Sequence, residues 1–213
     1  MANVSQLKRI SETLPKGVNL LAVSKGHPSS SIRSFVREGH LDFGESKLQE
    51  ALSKIKDLSD INSINWHFVG HLQANKVRGV VKNFNVIHSV DSLKLAQRIS
   101  RIAIEEDKKP EIMIQVKLRE DPNKAGFCPK ELLDEWDSII QLPNIDLIGL
   151  MTIAPIQLDI NERKILFQDC RELADELLLK DCSMGMSGDW EEAVQAGSTW
   201  LRLGSLLFGA RSK

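Results

Sequence analysis

Two cations that interrupt apolar runs are the first residues in this sequence with chemistry to offer. Lys25 closes the run Leu20-Leu21-Ala22-Val23-Ser24-Lys25. Strand alternation puts Leu21, Val23 and Lys25 on one face and Ala22 with Ser24 on the other. An amine at the rim of an apolar barrel is partly desolvated, which lowers its pKa and frees it as a nucleophile; the plainer role is a strand cap reaching solvent. Arg202 breaks the run Trp200-Leu201-Arg202-Leu203-Gly204. A guanidinium there keeps its charge, so it needs either a ligand or a structural carboxylate such as Glu45 or Asp91.

Two further segments have the makings of an anion site. Ser187-Gly188-Asp189 follows Met184-Gly185-Met186 and opens a helix that ends near Gly197, and Gly204-Ser205 follows the last apolar run. Free backbone N–H groups at a helix start, beside a hydroxyl and a glycine, attract phosphate. Each segment alone is equally an ordinary helix cap or loop glycine. Together they fall after strands seven and eight, where (β/α)8 barrels build their phosphate sites.

Other candidates read as structural. His67 and His71 have the four-residue spacing of metal ligands on a helix, but they flank Phe68-Val69-Gly70, a strand end and turn without a carboxylate motif. No metal is expected. His88 reads as a satisfied core residue, and Cys128 and Cys182 as small core residues. The basic residues from Lys76 through Arg78 to Lys82 read as a solvated helix face.

The elements that must position these residues alternate along the chain. Apolar runs lie at Leu20–Val23, Leu41–Phe43, Ile64–Val69, Val86–Val90, Ile112–Val116, Asp146–Met151, Ser183–Met186 and Trp200–Leu203. Most are continuous, as in strands covered on both faces of a parallel sheet. Between them come helical stripes: Ile32, Phe35 and Val36 between Pro28 and Gly39; Leu95, Ala96, Ile99, Ile102 and Ala103; Leu132, Leu133, Trp136, Ile139 and Ile140; Leu166, Cys170, Leu173, Leu177 and Leu178. Val4, Leu7, Ile10 and Leu14 mark an extra N-terminal helix. Eight such repeats in 213 residues predict an α/β fold, a single (β/α)8 TIM-type barrel domain over 1–213 without a C-terminal β-domain. A doubly wound open sheet is the rival. Its Gly-rich first turn is missing, because that position reads VSKGHP.

Composition narrows the function classes. Lys plus Arg is 28 and Asp plus Glu is 29, so the net charge of -1 argues against a nucleic-acid binder. Three scattered cysteines do not make a disulfide framework, and a reducing, cytoplasmic setting is expected. The N-terminus lacks the apolar core of a signal peptide, and no run reaches the roughly 18 apolar residues a membrane span needs.

Several motifs converge on one family. LAVSK (Leu21–Lys25), FGES-KLQE (Phe43–Glu50), WHFVGHLQANK (Trp66–Lys76), IHSVDS (Ile87–Ser92), KAGF (Lys124–Phe127), GLMTIAP (Gly149–Pro155), MGMSGD (Met184–Asp189) and LRLGSLLFGAR (Leu201–Arg211) occur in this order. In them the chain resembles, over essentially its full length, the YggS-like pyridoxal-phosphate homeostasis proteins. The resemblance implies a fold-type III barrel with pyridoxal 5'-phosphate bound as a Schiff base to Lys25. It also implies that Ser187, Gly204 and Ser205 hold the phosphate and that Arg202 faces the pyridine nitrogen. Three positions depart from the family pattern: Ser46 stands where Asn is usual, Lys117 where Asn is usual, and His27 where a second lysine is frequent. Lys124 and Arg211-Ser212-Lys213 are basic positions at which a second cofactor site is conceivable, and none is assigned.

The barrel also resembles that of alanine racemases, so a PLP-dependent amino-acid racemase is the serious alternative. Such a racemase needs two bases on opposite faces of the substrate Cα. In that family the second is a tyrosine from an added domain, whereas this sequence has no tyrosine. An arginine partner also keeps the pyridine nitrogen unprotonated and weakens the ring as an electron sink. The expectation is a monomeric carrier that buffers and delivers PLP to apo forms of PLP-dependent enzymes, with no catalytic residue. A phosphosugar-type barrel isomerase without PLP, using Glu45 or His71 as base, is a further alternative.

Overall fold

The computed structural model describes residues 3–121 and 124–209. Eight strands follow one another as β1 (Asn19–Val23), β2 (Asp42–Glu45), β3 (Asn65–Phe68), β4 (Val86–Val90), β5 (Glu111–Gln115), β6 (Asp146–Met151), β7 (Asp181–Met186) and β8 (Trp200–Leu203). Each pairs in parallel with the next, and β8 returns to β1 through Asn19↔Trp200, Leu20↔Leu201, Leu21↔Arg202 and Ala22↔Leu203. The sheet is therefore a closed barrel, and the open-sheet alternative falls away. The basic terminal residues 211–213 lie outside the described residues.

Helices occupy the intervals the periodicity marked: α1 (Val4–Thr13), α2 (Ser29–Val36), α3 (Leu48–Asp57), α4 (Val77–Asn83), α5 (Leu93–Glu105), α6 (Pro129–Ile140), α7 (Ile160–Glu176), α8 (Trp190–Gln195) and α9 (Ser205–Phe208). Local chemistry sets their ends. Pro28 precedes α2 with extended geometry, and Gly39 beyond its end has φ of 85°. Asp159 and Glu162 reciprocally cap the start of α7, and the Ser92 hydroxyl accepts from Leu95 N at α5. Two stripes are narrower than expected. In α6 only Leu132 and Ile139 are buried, whereas Leu133 and Ile140 are exposed. Leu178 leaves α7 in left-handed geometry with φ of 56° and is 93% exposed.

Alternation along the strands divides two packing regions. Outward residues such as Leu20, Ala22, Phe43, Ile87, Ile112 and Leu150 meet the helices in one apolar cluster with Phe35, Ile99, Leu132 and Phe167. Inward residues meet across the barrel. The His67 ring on β3 lies 4.8 Å from that of Trp200 on β8, and His88 on β4 reaches Ser183 on β7, although neither pair of strands is adjacent. The barrel interior is thus polar at its centre, where these barrels usually stack branched aliphatic side chains.

Glycine at 149 is a steric demand of the β6–β7 pairing. Its register partner is Asp181, whose carbonyl oxygen would lie 2.2 Å from an added Cβ. Gly149→Ala is expected to destabilise the fold by about 1–3 kcal/mol through overpacking against main chain. Thermal unfolding would show a melting temperature lower by about 2–4 °C for each kcal/mol.

Candidate functional site

Lys25, Ser187, Arg202, Gly204 and Ser205 are brought together at the C-terminal rim of the barrel. They line one cavity of about 380 Å³ with Val23, His27, Val69, Ile153, Met186, Gly188 and Gly209. That volume lies within the usual range for small-ligand sites. Lys25 follows β1 directly, Ser187 and Gly188 follow β7, and Gly204 with Ser205 follows β8 and opens α9. Ser187 Oγ accepts from Leu206 N at 3.3 Å, so the two loops are tied together across the anion-binding corner.

Two glycines leave main chain open to an occupant. Among the described residues an added Cβ at Gly188 would meet no atom within 4 Å, and at Gly204 nothing nearer than Val23 O at 3.4 Å. Neither has positive φ, so neither backbone conformation nor protein packing demands glycine. What the missing side chains preserve is space in the cavity itself.

Arg202 is 6% exposed and carries its charge among neutral acceptors. Nη1 donates to Ser183 O at 2.6 Å and Ser183 Oγ at 2.8 Å, and Nη2 donates to Thr152 O at 2.8 Å. Burial pulls the guanidinium down to about 10, against the opposing fields of Asp189 and Cys170, which still leaves it charged at neutral pH. Neither carboxylate weighed as its partner is used. Glu45 is bound to Lys54, and Asp91 lies 3.4 Å from His71. Three of the five N–H groups are spent inside the barrel.

The lysine is held by a network that the sequence reading missed. Lys54 on α3 is 5% exposed. Its Nζ donates to Ser24 O at 2.8 Å, Glu45 Oε1 at 2.6 Å and Glu50 Oε1 at 2.7 Å. Ser24 Oγ donates to Glu45 Oε1 at 2.6 Å, and Gly26 N donates to Glu50 Oε1 at 2.5 Å. Both neighbours of Lys25 are therefore pinned through one buried ion cluster. Burial pushes the Glu45 carboxyl above its ordinary range, with Lys54 and Ser24 pulling it back, and its second oxygen, Oε2, has no partner. The available signal was a lysine in an apolar stripe with Leu48, Ala51 and Leu58, four residues after Glu50.

The remaining candidates fall elsewhere. His67 is buried inside the barrel, whereas His71 is exposed at the rim, so their spacing does not bring them to one point. Among the described residues no three potential metal ligands cluster. His88 is a satisfied core residue, bonded to His67 and Ser183. Cys182 is buried, but Cys128 is only half-buried and precedes α6 as its cap residue, a correction to its reading as core, because its place is set by a helix start. Arg78 and Lys82 form the solvated face expected, paired with Glu105 and Glu106. Of the departures, His27 lines the cavity and stacks on Phe208 at 5.1 Å, whereas Ser46 and Lys117 lie outside the lining.

Two stability effects follow. Lys54→Met strands Glu45 as a buried charge, an expected cost of about 3–5 kcal/mol at neutral pH that shrinks toward pH 5 as Glu45 takes a proton; chemical denaturation at both pH values measures it. His88 is held well below its ordinary pKa by burial, with His67 and Arg202 adding to the effect. Its contribution is complete above the unfolded value near 6.5. Below that the unfolded chain binds a proton that the fold excludes, so stability falls with pH by up to about 1.4 kcal/mol per unit. His88→Gln is expected to flatten that limb in unfolding curves between pH 6.5 and 5.

Comparison with known proteins places this geometry. Residues 2–212 match the family model for the alanine racemase N-terminal domain. The pyridoxal phosphate homeostasis protein of Synechocystis is 44% identical, with 99% of this chain and 100% of that protein covered. That of Pseudomonas aeruginosa is 41% identical over 92% of this chain and 86% of its own. The structure of PipY from Synechococcus elongatus with PLP bound superposes with a TM-score of 0.94 at 43% identity, covering 97% of this chain and 99% of that one. By its full-length match and these relatives, the chain belongs to the alanine racemase N-terminal domain family and, within it, to the pyridoxal phosphate homeostasis proteins.

Proposed function

We propose that this protein binds pyridoxal 5'-phosphate in the Lys25–Arg202 cavity, buffers it and delivers it, and so affects amino-acid and keto-acid balance indirectly. The observation that carries the reading is a buried guanidinium with no carboxylate partner among the described residues, set in one cavity with a rim lysine and the Ser187–Ser205 corner. A buried cation of that kind calls for an acceptor from a ligand. The cofactor, when bound, supplies an aldehyde that condenses with a primary amine. Lys25 is the amine in reach of the cavity, with its main chain fixed by the Lys54 cluster. Ser187, Gly204 and Ser205 receive the phosphate, and Arg202 directs its spare N–H groups toward the pyridine nitrogen, keeping it unprotonated.

The same reading assigns no catalytic residue. A racemase needs a base opposite the lysine, and the chain has no tyrosine to supply the one used in that family. The phosphosugar isomerase reading loses its bases: Glu45 is bound to Lys54 and Ser24, and neither Glu45 nor His71 lines the cavity. A cofactor carrier acting in the cytoplasm as a monomer on apo forms of PLP-dependent enzymes fits the cavity at the barrel rim. Among the described residues no helix is long and apolar enough to cross a membrane.

The visible absorbance spectrum of the purified protein after adding PLP tests this. A band in the parent that is lost entirely in Lys25→Ala is expected, together with unchanged optical rotation of added L-alanine. No band in the parent overturns the cofactor reading, and racemisation of L-alanine overturns the carrier reading.

A further inference from the structure

Beneath Arg202 a line of polar side chains crosses the closed barrel. Ser183 Oγ, which accepts from Arg202 Nη1 at 2.8 Å, lies 2.9 Å from His88 Nδ1. His88 Nε2 lies 2.9 Å from His67 Nδ1, and His67 Nε2 lies 3.4 Å from Asp42 Oδ1. Asp42 opens onto a second cavity, of about 520 Å³, at the N-terminal mouth with Asn65, Lys82, Lys109 and Trp200. The line therefore joins the two ends of the barrel through residues of β2, β3, β4, β7 and β8. Ser183, His67 and His88 are each no more than 1% exposed.

The ends of the line fix its direction. Arg202 can only donate and an ionised Asp42 can only accept. The Ser183 oxygen is already an acceptor for Arg202, so its proton turns to His88 Nδ1. His88 is then protonated on Nε2, which donates to His67 Nδ1. His67 in turn carries its proton on Nε2, 3.4 Å from Asp42 Oδ1, an electrostatic approach that falls short of hydrogen-bond geometry. Burial raises the Asp42 carboxyl, but His67 and Asn65 beside it outweigh burial and hold the group below its usual range. Among the described residues the other charged or titratable groups facing the line are His40, whose Nε2 is 2.9 Å from Asp42 O, and Asp189 and Cys170, whose fields reach Arg202. With the opposite tautomer, His88 Nδ1–H and Arg202 would both donate to Ser183, whose own proton would then have no acceptor in the line.

We infer that the Asp42–His67–His88–Ser183 line is a positioning device that holds Arg202 with its spare N–H groups toward the cofactor ring. The inference rests on the reading that Arg202 faces the pyridine nitrogen. His67 and His88 do not line the cofactor cavity, so they act only through Ser183 and Arg202. Their effect reaches the ring as the orientation of a fixed charge in a low-dielectric interior, where hydrogen bonds in series reinforce one another.

Replacing His67 separates this role from simple packing. His67→Phe fills the site but cuts the line, whereas His67→Gln can still accept from His88 and donate to Asp42. The full-length protein is loaded with PLP, and both its dissociation constant and the pH titration of its visible band are measured. His67→Phe is expected to weaken PLP by about threefold or more and to shift the midpoint of the titration, and His67→Gln is expected to restore both. If His67→Phe does not fold, Ser183→Ala cuts the line at its other end and is expected to show the same shift. Parent values in every folded variant that cuts the line overturn the inference. Nitrogen-15 NMR of the unloaded protein reads the line without cofactor. Nε2 protonation of both His67 and His88 is expected, with the Arg202 Nε–H signal displaced by His67→Phe and not by His67→Gln. A proton on Nδ1 of His88, or an unmoved Arg202 signal, overturns it. A parent that gives no visible band at all defeats the cofactor reading alone, and the NMR measurement then decides the line.

Discussion

A guanidinium enclosed by eight strands must be solvated by something, and how Arg202 is solvated organises much of the interior. At 6% exposure the group is largely removed from solvent, and the structure supplies neutral acceptors: Ser183 O, Ser183 Oγ and Thr152 O. A carboxylate salt bridge at this depth would have consumed the charge as well as satisfying it. Carbonyl and hydroxyl oxygens hold the group in place and leave its field directed at the cavity. The polar interior follows on from this group: Ser183 Oγ meets His88, His88 meets His67, and His67 approaches Asp42 at the far mouth.

The rim lysine is treated in the opposite way. Lys25 lines the cavity, and a second lysine, Lys54, forms the buried ion cluster behind it. Lys54 binds Glu45 and Glu50 and, with them, the main chain on both sides of Lys25. Three charges are buried or half-buried to fix three residues of backbone. Such a cluster adds little net stability, because desolvation offsets most of the attraction, but it makes one backbone geometry far cheaper than its neighbours. Placement of Lys25 and placement of Arg202 are thus secured by separate networks on separate elements, α3 for one and the barrel interior for the other.

Much of the fold was legible in the residues. All eight apolar runs became strands, since a buried parallel strand is rich in apolar residues even where its inward face carries His67, His88, Ser183 or Arg202, and the intervening stripes became helices. Leu133, Ile140 and Leu178 belong to the apolar stripes and are exposed, because a stripe records which face is apolar and not how far the neighbouring helix reaches across it. That the five candidate residues share one cavity was legible for a related reason. Each is a polar or glycine residue at the C-terminal end of an apolar run, or within one, and in a barrel those ends share one rim.

The sequence by itself determined the order of strands and helices, their parallel α/β alternation and the set of residues at the strand ends, because these follow from hydrophobic period and strand direction, which are local properties. Only the tertiary structure decided the partners. Glu45 was weighed as a mate for Arg202 and is bound by Lys54; His67 and His88, 21 residues apart, share a hydrogen bond; and Ser183 meets His88 across 95 residues of chain. Such pairings depend on which inward side chains come level inside the barrel. Strand stagger and closure set that level, and no spacing along the chain records it.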